Sequence, residues 1–475
     1  MKKIISILAV FSLLLLSAVG CKSATSSDTS TVSKTESLES GDNIDTDSNG
    51  APTDNSEGNN TGDGASVGNN ASGSGNASVG GVSNGNTSGV KKTITVWGLQ
   101  SNTALATAAA AYEAQNKNIK ISIKNHDMCS LSELKMAIAA KNAPDVLFID
   151  QAYAGAAGLS GYLKDLNEYG AKSQESKFEQ AAWKSVQING KQYGMPFDTS
   201  VRALLYNKDM AQAAGLTAAP KNYTEFKNFC DAIRNEYPSA YGFIHAADLD
   251  SGKNYVAFSY FQWLWRMGGE IFSANLKEAT FNSKAGVDAL QMLVDLKKNK
   301  QMPSSFLQDD FFNGDRKMIA MMEAGSYSYE FMFGALKKAN YAAALLPVLK
   351  EGVPPYSAIG VYAYAVTSTS ANPKEAYDFV SFFTTGKTYQ LQYCKQFNFL
   401  PSLKEAQSDP YYSGEHWQIM FEQLKHAKYR PSVQGWDQIE TYVADAVIAA
   451  MNGKAPAEAL NTAATNVNKI LKQYN

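Results

Sequence analysis

The residues in this chain that could do chemistry are few, and their spacing excludes more than it offers. Four histidines stand among 475 residues, and no cluster of His and Cys has the spacing of a metal site. Past Cys21 the cysteines are Cys129, Cys230 and Cys394, widely separated and odd in number; they read as core thiols, with a disulfide possible but not implied. Gly386-Lys387-Thr388 has the tail of a phosphate-binding loop, but Ser381 stands where its first glycine is needed and no strand precedes it. What remains are aromatic and polar residues at strand ends. In α/β sheets ligands sit beyond the carboxyl ends of strands, and that rule marks Trp97, Asp150 and Gln151. No metal, cofactor or catalytic residue is expected.

Those positions depend on an alternation of strands and helices. Residues 92–98 (KTITVWG) alternate like a strand, and Ser101 or Thr103 can cap the Ala-rich helix predicted over 104–115. A second strand at 119–124 leads to a helix at 132–140. Pro144-Asp145 then introduces Val146-Leu147-Phe148-Ile149, a continuous apolar run of the kind buried on both faces of a parallel sheet. Strand, helix, strand, helix, strand with short connections predicts an α/β unit.

Residues 188–216 (INGKQYGMPFDTSVRALLYNKDMAQAAGL) read as a connection to a second unit. Asn189-Gly190 makes a turn, and Pro196 cannot sit inside a central strand. Residues 197–200 read as an unstructured crossing and 203–206 as a buried strand; a helix starts at Lys208 and Gly215 stops it. Asn222 caps a further helix, with Glu225 three residues on. A strand is predicted near 241–245, then the most aromatic stretch of the chain, 255–265 (YVAFSYFQWLW), closing on Gly268-Gly269. Residues 283–298 predict a helix, and 311–330 a helix, a strand and a Gly-Ser turn with alternate tyrosines. Residues 345–355, with three prolines, and Leu400-Pro401 read as two more crossings. Between them lie a strand at 359–366 and a helix begun by Asn372-Pro373 with Glu375. The rest, to Asn475, reads as helical with one loop at 430–436.

The 188–216 stretch closely resembles the interlobe segment of extracellular solute-binding proteins of the carbohydrate ABC-transporter class, the maltodextrin-binding-like family. Gly190-Lys191, Tyr193-Gly194, Pro196, Leu204, residues 206–209 (YNKD), Ala214-Gly215-Leu216 and Pro220 carry the likeness. It continues in Pro144-Asp145-Val146, residues 161–166 (GYLKDL), Gly268-Gly269, the Phe311, Gly314 and Met318 spacing, residues 372–383, and Arg430-Pro431 ahead of Trp436, spanning nearly all of 92–471. The resemblance implies an α/β, two-lobed periplasmic-binding-protein-like (type II) fold, with three interlobe crossings and a ligand cleft between the lobes. The first lobe is expected over 91–198 plus 356–400, the second over 199–355 plus 401–475.

A sugar ring has polar edges and apolar C–H faces, so its site wants flat aromatic walls beside a few amides and carboxylates. The positions the resemblance implies are Asp150, Gln151 and Tyr153 after the third strand, and Asp198 with Ser200 in the first crossing. Phe258 and Phe261 follow from their spacing to the Gly-Gly pair, Tyr327 and Tyr329 from Gly325, and Trp436 from the last loop; Trp97 joins them from its strand end. Trp436→Ala is expected to weaken sugar binding without unfolding the lobes. The implied protein is a binder without cofactor, which captures an oligosaccharide by hinged closure and delivers it to ABC permease subunits served by an ATPase. Alternatives are a polyamine, a peptide or a glycerol phosphate ester in the same transport role, with Arg202, Arg316 and Arg430 as phosphate candidates. A rival of another class is a surface glycoside hydrolase, with Asp150 and Asp198 as facing carboxylates.

The first 21 residues read as an export leader: Lys2 and Lys3, an apolar core at 4–16, small residues at 17–20, then Cys21. Such a core is too short to span a bilayer comfortably. A cysteine so placed resembles a bacterial lipobox, with Ala18 where Leu is usual, and implies lipidation at Cys21. Residues 22–90 hold no aromatic side chain and cannot bury enough apolar surface to fold, so a disordered acidic Ser/Gly/Asn linker is predicted. Nine acids and two lysines give it −7; removing that and the leader's two lysines from the overall −2 leaves +3 from Lys91 onward. A tether of this length spans ~45 Å. A body so near neutrality argues against nucleic acid as a partner. The expected location is the extracellular face of the membrane of a single-membrane bacterium, held by the lipid anchor alone, as a monomer.

Overall fold

The computed structural model describes residues 91–99, 101–246, 252–305 and 308–474; the leader, Cys21 and the 22–90 linker lie outside the described residues. Among the described residues no helix is long and apolar enough to cross a membrane.

The chain begins with β1 (Lys92–Gly98), α1 (Thr103–Gln115), β2 (Ile119–Asn125), α2 (Leu131–Ala139), β3 (Val146–Asp150) and α3 (Gln151–Leu159). All five residues of β3 are buried, as its unbroken apolar run requires of a strand covered on both faces. The cap of α1 is neither Ser101 nor Thr103 but Asn102 between them. Its amide oxygen accepts from Leu105 N at 3.1 Å while its amide nitrogen donates to the Tyr364 hydroxyl, so one side chain serves the helix end and the sheet. Ser130 and Glu133 close a full capping box on α2.

A tight hairpin joins Gln187–Ile188 to Lys191–Gln192 through Asn189 and Gly190, both at positive φ as a two-residue turn needs. There follow β4 (Met195–Pro196), β5 (Asp198–Thr199) and β6 (Ala203–Asn207). The first sheet runs β2-β1-β3-β11-β4, where β11 is Tyr362–Val366. The first three strands are parallel and β11 is antiparallel to both its neighbours. Pro196 thus sits on an edge strand, where its missing N–H costs nothing. The second sheet runs β9-β6-β8-β7, with β7 at Tyr241–Ile244, β8 at Ile319–Ala324 and β9 at Tyr341–Ala344. Each sheet has its own apolar core.

The crossing at residues 197–200 is more ordered than its sequence suggests: β5 pairs antiparallel with β12 (Leu400–Pro401). Ser200 and Gly360 exchange two backbone hydrogen bonds of 2.8 Å, and β10 (Ser357–Ala358) runs parallel to β13 (Ala427–Lys428). The segments that lead from one sheet to the other therefore tie to one another by backbone hydrogen bonds, which any short extended chain can make and no side-chain pattern announces. The strand expected from 359 accordingly starts only at Tyr362. The aromatic stretch forms α4 (Lys253–Arg266), and the chain ends in α5 (Trp436–Met451) and α6 (Pro456–Tyr474), packed against α4 and the Lys284–Lys298 helix.

Along one face of α3 the loop ahead of α5 lies very close. A Cβ built on Gly155 would stand 2.1 Å from Ser432 Oγ, so only glycine admits the loop there. One helical turn further, Gln434 donates to Ser160 Oγ at 3.2 Å.

Candidate functional site

Asp150 ends β3 directly opposite Tyr362 on β11. Its carboxylate caps α3 through Ala152 N at 2.9 Å and takes Arg430 on both oxygens, at 2.7 and 2.9 Å. The other arm of that guanidinium holds Glu440 of α5 at 3.0 Å. Arg430, Asp150 and Glu440 are all buried. Burial pushes the Glu440 carboxyl up to about 7, with Arg430 drawing it back. Tyr153, half-buried on α3, has its hydroxyl pushed up by burial first and then by Glu440 and Asp150.

A second guanidinium lies beside this group. Arg202, between β5 and β6, is 8% exposed, and its backbone N–H donates to Ser357 Oγ at 2.8 Å. Its guanidinium carbon stands 4.8 Å from the Phe258 ring centroid, 5.0 Å from Tyr327 and 5.7 Å from Tyr255, while Arg430 lies 5.1 Å from the same Phe258 ring. Cations over aromatic faces at these distances attract. Burial pushes up the hydroxyl of Tyr362, at the start of β11, with Asp150 and Asp198 adding to the rise and Arg202 and Arg430 opposing it.

Asp198 is 1% exposed in β5. One carboxylate oxygen accepts the Tyr362 amide at 3.1 Å, and the other meets no hydrogen-bond partner. Burial pushes its carboxyl up to about 8, against the pull of the Tyr362 amide. Gln151 hangs from the same crossing: its backbone N–H donates to Val361 O, its side-chain nitrogen to Ile359 O at 3.4 Å, and its side-chain oxygen is unpartnered. Ser200 stands in the bridge to Gly360.

Of the residues expected at a site, Asp150, Gln151, Tyr153, Asp198, Ser200, Phe258 and Tyr327 thus belong to the strand crossings and the two guanidiniums beside them. Four do not. Trp436 is fully buried, its ring 5.9 Å from Phe261 and 6.2 Å from Phe272. Phe261 is equally buried, between Trp265 and Trp436. Tyr329 is 2% exposed, donates to His416 O at 2.7 Å and packs edge-on to Trp417. The reason is common to all three: a large apolar ring one position along an element turns inward when the element's solvent face is elsewhere, and family spacing cannot see that turn. Trp97 is half-buried and stacks flat on His126, with centroids 4.1 Å apart, in a shallow groove with Glu133 and Met136. The sequence reading passed over Glu440, Tyr255 and Tyr362 and weighed Arg202 and Arg430 only for phosphate. Arg430-Pro431 in the family likeness was the one visible signal, and an arginine in sequence says nothing of the carboxylates it will meet.

The three body cysteines are free and buried, and burial pushes the Cys129 thiol up to about 12. Among the described residues no group of His, Cys, Asp and Glu could hold a metal ion.

The fold is that of maltose-binding-protein-like (type II) binding proteins. The cyclic alpha-maltosyl-1,6-maltose binding protein of Arthrobacter globiformis superposes with a TM-score of 0.71 at 23% identity, over 81% of this chain and all of that one. A solute-binding protein of Thermotoga lettingae, bound with alpha-D-tagatose, gives 0.68 at 25% identity, over 80% of this chain and all of its own. In sequence the chain is 24% identical to the galactooligosaccharide-binding protein of Bacillus subtilis over 405 residues, 82% of this chain and 92% of that protein. It is also 24% identical to the maltooligosaccharide ABC transporter solute-binding lipoprotein of Streptococcus pneumoniae, over 77% of this chain and 85% of the relative. Residues 107–419 match the family of bacterial extracellular solute-binding proteins, and the chain belongs to that family. It is a binding protein rather than an enzyme. The hydrolase reading falls with that membership, and Asp150, occupied by Arg430 and its own helix, is not a free acid.

Two measurements follow. Trp436→Ala, once expected to weaken ligand alone, should instead destabilise the fold by about 3–5 kcal/mol in denaturant unfolding, the cost of emptying a buried indole site; unaltered stability would return the ring to the cleft. For Asp198, a folded-state pKa above the ordinary value keeps a proton that the unfolded chain releases, so stability falls as pH rises from about 4 to 8. Glu440 acts in the same sense up to about 7. The melting temperature of Asp198→Asn should therefore decline less over that window than the wild type's; parallel curves would mean that Asp198 is ionised in the fold.

Proposed function

We propose that this protein is the substrate-binding lipoprotein of an ABC importer, anchored through Cys21, and that it captures an oligosaccharide between two lobes that close on it. The lobes are those read from the sequence, 91–198 plus 356–400 and 199–355 plus 401–475, with the 22–90 linker as leash. One observation carries the ligand class. Flat rings (Tyr255, Phe258, Tyr327) stand around Arg202, and Gln151, Asp198 and Arg202 each keep a polar atom without a hydrogen-bond partner; sugar faces and hydroxyls need rings and such polar atoms together. The names of the Bacillus and Streptococcus relatives support it, as does the word lipoprotein in the second. Closure brings both lobes' side chains onto one ligand, the closed form docks on the permease, and a separate ATPase drives transport. Capture followed by release calls for micromolar affinity, about −8 kcal/mol. The protein works as a monomer on the outer face of the membrane.

The test is a thermal-shift screen of the folded body against neutral and acidic oligosaccharides, peptides, polyamines and phosphate esters. A ligand specific to the folded state adds about 2.7 kcal/mol of stability at a hundred times its dissociation constant. Saturable shifts with one group of oligosaccharides are expected; shifts confined to peptides, polyamines or phosphate esters would replace the sugar by that ligand and leave the transport role. For the anchor, Cys21→Ser should move the protein from the membrane fraction to the medium, and retention on the membrane would remove the lipid from the account.

A further inference from the structure

We infer that Arg202 anchors an acidic group of the ligand, so that the preferred oligosaccharide carries an oxyanion, a uronate carboxylate or a sulfate ester, on one of its sugar units. The inference rests on the sugar-binding reading above and names the chemistry of that site.

The argument begins with how the chain treats its arginines. It has five, all among the described residues. Arg316 pairs with Asp310 near the surface, and Arg234 donates to the backbone oxygens of Ala240 and Lys300. Arg266, fully buried, meets Glu323 at 2.5 Å. Arg430, also buried, meets both Asp150 and Glu440. A buried guanidinium without a carboxylate is costly, which is why the other two have one. Arg202 is buried too, yet among the described residues no carboxylate lies within ion-pair distance of it. The groups that act on it are the hydroxyls of Tyr327, Tyr255 and Tyr362, and its Nη1 has no hydrogen-bond partner.

Its surroundings hold the cation in place without neutralising it. Tyr255, Phe258 and Tyr327 present ring faces, which attract the charge; the Tyr255 hydroxyl takes one hydrogen bond, and the Nη1 N–H bonds in the guanidinium plane are unmet. Those bonds are where a planar oxyanion would dock, on two parallel donors. Only glycine fits beside that nitrogen at position 325: a Cβ there would come within 3.0 Å of Nη1 and press into the Tyr327 ring. The position is also right. Arg202 lies on the first crossing, near rings from α4 and from the turn after β8 (Tyr255, Phe258, Tyr327) and near Tyr362, which opens β11 of the first sheet. The same three rings can take the sugar's apolar faces, which puts the acid and the ring to which it belongs on adjacent surfaces.

The test is isothermal titration of the wild-type body and of Arg202→Gln with di- and trigalacturonate, with the neutral galacto-oligosaccharides of equal length, and with a sulfated galactobiose. The wild type should prefer an acidic ligand over its neutral counterpart by about tenfold or more, and that preference should shrink with added salt. In Arg202→Gln the preference should fall to within about threefold, the melting temperature of the free protein showing that the fold is kept. A response to galacturonates identifies a carboxylate, one to the sulfated sugar alone a sulfate ester. Equal affinity of the wild type for neutral and acidic sugars, or equal losses for both in the variant, would reduce Arg202 to a stacking element and leave the oligosaccharide reading intact. Failure of every sugar, neutral and acidic alike, would overturn both.

Discussion

Arg430 and the two carboxylates it holds are the interaction on which the site depends. Asp150 ends the central strand of the first sheet, and Glu440 lies on the penultimate helix, 290 residues away in the chain; the guanidinium between them reaches each at hydrogen-bond distance. Three charges out of water are tolerable only together, because the desolvation of each is offset by the others, and loss of one strands the rest. The network therefore fixes the loop ahead of α5 against the end of β3. Beyond it the same loop is held by shape, at Gly155, and by one polar contact, at Ser160. Phe258 lies within cation–ring distance of this guanidinium and of Arg202, so one ring joins the two cations.

The crossings form the second constraint. Four short extended segments pair across residues 198–202, 357–361, 400–401 and 427–428. Their backbone bonds leave little freedom for the side chains between them. Asp198 is caught there, with one oxygen on the Tyr362 amide and the rest of the carboxyl away from water, and it keeps its proton into the neutral range as a result. A residue whose protonation is set by the crossing is sensitive to any movement of the crossing. Hinged closure, as proposed for this family member, would pass through that point.

Aromatic residues divide between two uses that composition cannot separate. In α4 eleven consecutive residues from Val256 are buried, so the run that looked richest in ligand-binding rings is chiefly the core of the second sheet's layer. Only Phe258 and, a turn earlier, Tyr255 reach the guanidiniums. Trp436 shows the same effect at a helix start: a loop position in sequence, a core position in space.

The sequence by itself determined the α/β alternation, most strand limits to within a residue or two, the turn at Asn189-Gly190, the capping of the Tyr223–Glu236 helix by Asn222 and the family. These follow from periodicity, apolar runs and turn chemistry, which act over a few residues and are written in order along the chain. It also marked Asp150 and Gln151, because strand ends in such sheets are where ligands meet the protein. Tertiary structure alone decided that Asp150 would be answered by Arg430, that Trp436, Phe261 and Tyr329 would face the core, that the crossings would pair, and that Arg202 would stand without a carboxylate among the described residues. Each of those depends on residues more than fifty positions apart meeting in space, and on which side of an element faces its neighbour. Charge pairing and burial are properties of that meeting, so no local pattern carries them.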